Sequence, residues 1–346
     1  MSLRVIPYRL PFARPLRTRR GVLRRRRGWL LEVRAGERVG WGDAACWPGF
    51  GASPCQVRAG LRTLLARDEP LDLEALDLEH WARGLSGPAR HAAACAALDL
   101  RAQAAGLSLA RWLDPQAHTH ARSHALVGSV AEARHAAAEG ATAFKLKLGG
   151  RPLAVDLQRL RELREAVGSA AALRVDANGA WTRVEAEALW PVLGELEVDF
   201  VEQPLAADDL AGLRALRGRG VGVAADESLA LYGPQAVLDA EAADVWILKP
   251  QALGGPDRAL AAGRVALRAG LRPVVTHALD SVVGRTAALH VACALAQDHA
   301  HGLGAPFAHD VAPAPSEPAR AVGPGLGVAP LALTLRFPRT LVEVGS

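Results

Sequence analysis

The 346-residue chain predicts an α/β fold: a (β/α)8 barrel of the TIM type, with a smaller α+β unit formed by the N-terminal part and the C-terminal tail. Three observations carry this. From about residue 123, short β-branched runs alternate with longer Ala/Leu/Arg stretches. The strand-like runs start mostly about 25 to 30 residues apart, the length of a strand, a loop and a crossover helix. Residues able to do chemistry recur at the end of one run after another, which is where barrels place active sites.

In chain order, RGWLLEVRAGERVGWGDAA reads as two antiparallel strands around the turn AGERVG, and GPARHAAACAALDLRAQAAG as a buried, alanine-rich helix. Eight barrel strands follow: SHALVG (123–128), AFKLKL (143–148), LRVDAN (173–178), VDFVEQ (198–203), GVAADE (222–227), VWILKP (245–250), RPVVTHA (272–278) and a short HGLG (301–304). Between them DLQRLRELREAVG and RVEAEALWPVLGEL carry apolar residues at helical spacing. The tail segments GPGLGV and LALTLRF read as a turn and a strand that returns to the first unit. The expected division is 1–115 for the α+β unit, 116–310 for the barrel and 311–346 for the tail.

Composition narrows the chemistry. The net charge of +5 and the block Arg24 to Arg27 raise the question of nucleic acid, but no basic helix, zinc finger or stacking motif surrounds the block. It reads as a solvated surface, with a role in gathering an anionic substrate as the other option. Four scattered cysteines suggest neither disulfides nor structural zinc. No apolar run has the length of a membrane span and no signal-peptide pattern opens the chain, so a cytoplasmic protein without membrane or nucleic-acid partners is expected. Of 41 basic residues, 38 are arginine; the three lysines are Lys145, Lys147 and Lys249. Arginine stays protonated in proteins, whereas a lysine can be tuned to exchange a proton, so these three are the candidates for proton chemistry.

All three fall at predicted strand ends. The second strand ends in Lys145 and Lys147, the third in Asp176 and Asn178, the fourth in Glu202, the fifth in Asp226 and Glu227, and the sixth leads into Lys249. Residues two apart on a strand share a face, so Lys145 and Lys147 point together, as do Arg174, Asp176 and Asn178. Asp176, Glu202 and Asp226 form an all-oxygen set that suits a hard divalent cation, Mg2+ first, with Mn2+ as a substitute. A cation between two amines suggests proton abstraction next to a carboxylate, with the anion that forms stabilised by the metal. A small-molecule carboxylate is the expected substrate. A basic, non-catalytic binding protein on the same scaffold is the alternative from another class, and it leaves the placement of the lysines unexplained.

KLK, DAN, VEQP, ADES and LKPQALGG, in this order, resemble the branch of the enolase superfamily that includes muconate-lactonizing enzymes. The resemblance spans nearly the whole chain, with GERVGWGDAACWPGFG similar to the superfamily's capping domain and its mobile loop. It implies Asp176, Glu202 and Asp226 as metal ligands, Lys147 as general base, Lys249 as the opposing lysine and Lys145 as a residue that orients Lys147. Arg174 then meets a substrate carboxylate or braces the ligands, and Asn178 and His277 join it as candidate substrate contacts. The opening YRLPFARPLRTRRGVLRRRRGWLLEV, WPGFG and LKPQALGGP are most similar to the branch's dehydratases of menaquinone biosynthesis. The implied reaction is loss of water from 2-succinyl-6-hydroxy-2,4-cyclohexadiene-1-carboxylate. Racemisation of N-acylamino acids or epimerisation of dipeptides by the same two lysines stays open, as does the oligomeric state.

Overall fold

The structure, a computed structural model, describes residues 2–18, 21–47, 50, 52–67, 75–305, 307, 319–328 and 342–343. It opens with three antiparallel strands, β1 (Ser2–Thr18), β2 (Gly21–Ala35) and β3 (Arg38–Ala44), which with the tail strand β13 (Val342–Glu343) form a sheet of order β13-β1-β2-β3. The hairpin β2–β3 turns at Gly36, whose φ of 58° lies in the left-handed region that glycine enters without steric cost. β1 alternates: Ile6, Tyr8, Leu10 and Phe12 are buried while Pro7 and Arg9 face out. Among the described residues β13 pairs only with Arg4 and Val5, so no described ladder hydrogen bond on the outer side is lost to the prolines of β1.

α1 (Pro54–Leu65) and α2 (Leu78–Trp81) lead to α3 (Gly87–Ala104), which is buried along almost its whole length. Its alanines permit this. A Cβ at Gly42 would stand 1.9 Å from the Ala92 carbonyl oxygen, and one at Gly40 2.2 Å from that of Ala96, so helix backbone lies directly on the sheet. α4 (Leu109–Leu113) and the short β4 (His120–Ala121) complete the approach to the barrel.

The barrel strands are β5 (Ala125–Val127), β6 (Ala143–Lys147), β7 (Ala172–Asp176), β8 (Val198–Glu202), β9 (Gly222–Ala225), β10 (Val245–Leu248) and β11 (Arg272–Val275), all parallel and neighbours in chain order. Helices α5 (Val130–Ala138), α6 (Leu153–Val167), α7 (Arg183–Glu195), α8 (Leu210–Leu216), α9 (Glu227–Asp239), α10 (Pro250–Leu253), α11 (Pro256–Arg268) and α12 (Val282–Leu295) clothe the outside. The expected eighth strand is reduced to two single bridges, Ser123 to His301 and Thr276 to Gly302, which join the two edges of the seven-stranded sheet. The barrel interior is a packed core of Phe200, Ala224, Val245, Ile247 and Val274. A second layer, including Phe144, Val175, Val201, Trp246 and Leu248, packs outward against the helices.

The tail runs back along the first unit. β12 (Ala319–Arg320) pairs with β4, Gly325 exchanges backbone hydrogen bonds with Leu107 and Leu109, and β13 joins β1. GPGLGV thus docks on α3, where the Leu326 amide donates to Asp99. The segment LALTLRF lies outside the described residues. Among the described residues no helix is long and apolar enough to cross a membrane.

Candidate active site

The register of the barrel strands decides which side chains meet. Lys145 lies beside Arg174, Lys147 beside Asp176, and Asp176 beside Glu202, so all five face the barrel axis. Asp226 and Lys249 follow directly after β9 and β10. Lys145 Nζ donates to both Glu202 oxygens at 2.7 Å and stands 3.0 Å from Asp176 Oδ2. Lys147 Nζ is 3.2 Å from the same Asp176 oxygen and donates to Asn178 Oδ1 at 3.0 Å. Lys249 Nζ donates to Asp226 Oδ2 and sits 4.4 Å over the ring of Phe50. The lysine side chains differ in access: Lys145 and Lys249 are 9% and 12% exposed, Lys147 50%.

These charges are strongly coupled. Burial pushes Glu202 up to about 7, with Asp176 adding to the shift and Lys145 opposing it. Asp226 rises to about 6, from burial first and Glu227 next, against the pull of Lys249. For Asp176 burial works upward too, yet Lys145 and Lys147 together hold it well below the usual carboxylate range. Burial would lower both Lys145 and Lys249, but the facing carboxylates raise them.

Among the described residues no three acidic, histidine or cysteine side chains stand close enough together to ligate one ion as they are arranged. Lys145 and Lys249 occupy carboxylate oxygens of Glu202 and Asp226 that a cation would use. The donor set nonetheless fits a hard divalent cation. Three carboxylates from consecutive strand ends offer only oxygen, and Asp226 Oδ1 and Glu227 Oε2 are buried without any hydrogen-bond partner.

Of the remaining candidates, Asn178 is at the mouth. Its backbone is left-handed, with φ of 45°, its amide nitrogen donates to Asp176 Oδ1 and its side chain spans Lys147 and Glu227. Arg174 lies deeper in the barrel, 2% exposed, and its guanidinium donates to Asp199 and the Ala300 carbonyl beside His124. None of these partners is a candidate metal ligand, and the guanidinium is closed off from open solvent. His277 Nε2 meets the Gly304 carbonyl, and burial, with Arg285 adding to it, lowers the imidazole to about 3, so it is neutral.

Two residues of the site, Gln203 and Phe50, were not singled out in the sequence, and Glu227 was named at its strand end without a role. Glu227 extends the acidic arc, and its adjacency to Asp226 was the available signal. Gln203, from VEQP, accepts from the Asp226 and Ser228 amides and donates to the Ser228 hydroxyl, fixing the turn that presents Asp226. Phe50, from WPGFG, brings the first unit over Lys249.

A second buried polar cluster lies between the first unit and the barrel. Asp43 of β3 accepts from the Tyr8 hydroxyl and the Ser281 amide, both at 2.8 Å. Asp280 stands beside it: a Cβ on Gly284 would meet Asp280 Cβ at 2.7 Å and Asp43 Oδ2 at 2.9 Å. Asp280 Oδ1 is buried with no partner, and burial, reinforced by Asp43, pushes Asp280 up to about 7. Arg26 crosses the same boundary, donating to the carbonyls of Ala45 and Cys46 on one side and Ala278 and Leu279 on the other. Within the block Arg24 to Arg27, then, Arg26 is not a solvated residue. It is 5% exposed, because inward alternation on β2 turns it toward unpaired carbonyls.

Comparison with known proteins bears on the same strands. Residues 128–332 match the enolase C-terminal domain-like family. Curated relatives include the o-succinylbenzoate synthase of Thermobifida fusca, 41% identical over 173 residues that cover 49% of this chain and 53% of the relative. That of Mycobacterium bovis is 42% identical over 198 residues, 55% of this chain and 57% of the relative. The chain spans about half the length of the curated relatives it matches. Among solved structures, the dipeptide epimerase of Methylococcus capsulatus, complexed with Mg and L-Arg-D-Lys, superimposes with a TM-score of 0.83 at 28% identity, covering 94% of this chain and 99% of that one. The family match covers well over half of the chain and contains every strand end that bears a lysine or an acidic residue of the site, and the chain therefore belongs to the enolase C-terminal domain-like family.

Proposed function

We propose that this chain is an o-succinylbenzoate synthase, removing water from 2-succinyl-6-hydroxy-2,4-cyclohexadiene-1-carboxylate with Mg2+ as cofactor and Mn2+ as a substitute. The observation that carries the reading is the pair Lys147 and Lys249, on strands four places apart around an eight-membered ring, with the acidic arc between them. Identity to the T. fusca and M. bovis synthases supports the choice of substrate. The substrate is a small carboxylate, the protein is cytoplasmic, and residues 1–115 with the tail 311–346 cap a barrel of 116–310.

Asp176, Glu202 and Asp226 would hold the metal, with Lys145 keeping the first two together. When bound, Mg2+ supplies the positive charge that makes the proton next to the substrate carboxylate acidic enough to remove. Lys147, half exposed and steadied by Asn178, takes that proton as a neutral amine. As ammonium it then returns the proton to the departing hydroxide on the same face, which gives syn elimination of water. Lys249 stays protonated across the ring, held by Asp226 and the Phe50 face, and stabilises the enediolate from the other side.

A spectrophotometric assay with Mg2+ and then EDTA tests this. Rapid aromatisation that chelation abolishes is expected. Folded, Mg2+-loaded protein that leaves the cyclohexadiene unchanged would reject the dehydratase. The likeness to a dipeptide epimerase favours one second reading, racemisation or epimerisation by the same two lysines. It requires exchange of an α-hydrogen of an N-succinylamino acid or dipeptide with solvent deuterium.

A further inference from the structure

The line from Lys147 to Lys249 divides the barrel mouth into two unlike halves. One half, from β7 to β9, carries Asp176, Glu202, Asp226 and Glu227. The other runs from β11 through the His301–Gly302 bridges to β5, and its inward positions are Thr276, Gly302, Gly304 and Leu126. None of these four is ionisable, and the two histidines beside them, His124 and His277, the latter on the Gly304 carbonyl, are both pushed toward the neutral form by burial.

Leu126 is the unusual member. Its register partner on β6 is Lys145, so it faces the barrel axis, yet it is 60% exposed. An exposed leucine on an outer surface needs no explanation; one pointing into a charged cleft does. At Gly304, on the neighbouring segment, none of the described residues lies within 4 Å of where a Cβ would be. Below, Gly302 is closed in by the Thr276 side chain and the His124 ring, 2.9 and 3.2 Å from its Cβ position. His124 is kept neutral by burial and by Arg174. Among the described residues the half is therefore a recess with an apolar wall, and its inward strand positions carry no charge.

We propose that Leu126 is a specificity-determining residue, the wall against which an uncharged carbon ring of the substrate packs while its carboxylate lies in the acidic half. The name of the substrate rests on the dehydratase reading; its polarity rests on the recess alone. An ammonium group in this half would lose its hydration and, among the described residues, meet no carboxylate on the strand positions that face it, so a zwitterionic ligand is disfavoured.

Two rings of equal size test this on the Mg2+-loaded full chain by calorimetry: cyclohexanecarboxylate, and piperidine-4-carboxylate, which carries an ammonium. Wild type is expected to prefer the neutral ring by about tenfold or more, Leu126→Ala to lose most of that preference, and Leu126→Asp to reverse it. In the dehydration assay Leu126→Ala raises KM by about tenfold, more than it lowers kcat. Equal binding of the two rings, no retention of either, or a preference unchanged in both variants overturns the proposal. If Leu126→Asp does not fold, Leu126→Ala alone still decides. A ring preference as expected, in a protein that does not dehydrate the cyclohexadiene, supports the recess and rejects the dehydratase reading separately.

Discussion

The molecule buries carboxylates in two places and treats them in opposite ways. At the barrel mouth Asp176, Glu202 and Asp226 each face an ammonium group. At the boundary between the first unit and the barrel, Asp43 and Asp280 face a phenol, two backbone amides and each other, while Arg26 directs its donors to carbonyls. Charge matched by movable cations marks a site whose charge is meant to change, with a proton or a metal. Carboxylates met by hydrogen-bond donors with no ammonium group beside them mark a joint. The difference is one of chemistry, since the carboxylates of both clusters are equally buried.

The comparison breaks most visibly at Lys147. Lys147→Arg keeps a cation beside Asp176 but removes the base, so turnover is expected to fall by at least about a thousandfold while the melting temperature holds. Wild-type-like rates in that variant would remove the lysine base from the mechanism. Lys145→Met probes the matched charges themselves. It strands Asp176 and Glu202 with one cation fewer and is expected to cost on the order of 3 kcal/mol in Mg2+-free denaturant titrations, with Mg2+ restoring part of the loss. A variant as stable as wild type without metal would show that the carboxylates need no such partner.

The joint responds to pH instead. Asp280 has a folded-state value near 7 against about 3.9 unfolded. Between about pH 4 and 7 the unfolded chain has released a proton that the folded chain keeps, so this group lowers stability as pH rises through that window and is level above it. Asp280→Asn is expected to flatten that slope and to gain on the order of 2 kcal/mol at pH 8, measured by denaturant titration with saturating Mg2+ to hold the mouth constant. An unchanged slope would mean that Asp280 is ionised throughout.

The mouth was legible in the sequence because chemistry there follows strand ends, and a chain with three lysines among 41 basic residues advertises them. The joint was not. Asp43 and Asp280 are 237 residues apart, each unremarkable alone, and only the docking of β3 against the loop after β11 brings them together. Arg26 was hidden within a run of like residues, where the alternation of β2 separates one inward guanidinium from its outward neighbours. β1 was missed as a strand because Pro7, Pro11 and Pro15 mask the period-two pattern of Ile6, Tyr8, Leu10 and Phe12, and edge position makes those prolines tolerable. Leu126 needed the register of β5 against β6 before its direction could be known.

The concentration of every lysine in one cleft makes the catalytic amines spectroscopically addressable. Reductive methylation with 13C-formaldehyde would add at most three lysine side-chain signals to that of the N-terminal amine, in a protein of 346 residues. Lys147, half exposed, should react first, while Lys145 and Lys249 are shielded. The order of labelling, followed by NMR as Mg2+ is added, would show directly which amine loosens from its carboxylate when the metal competes for it.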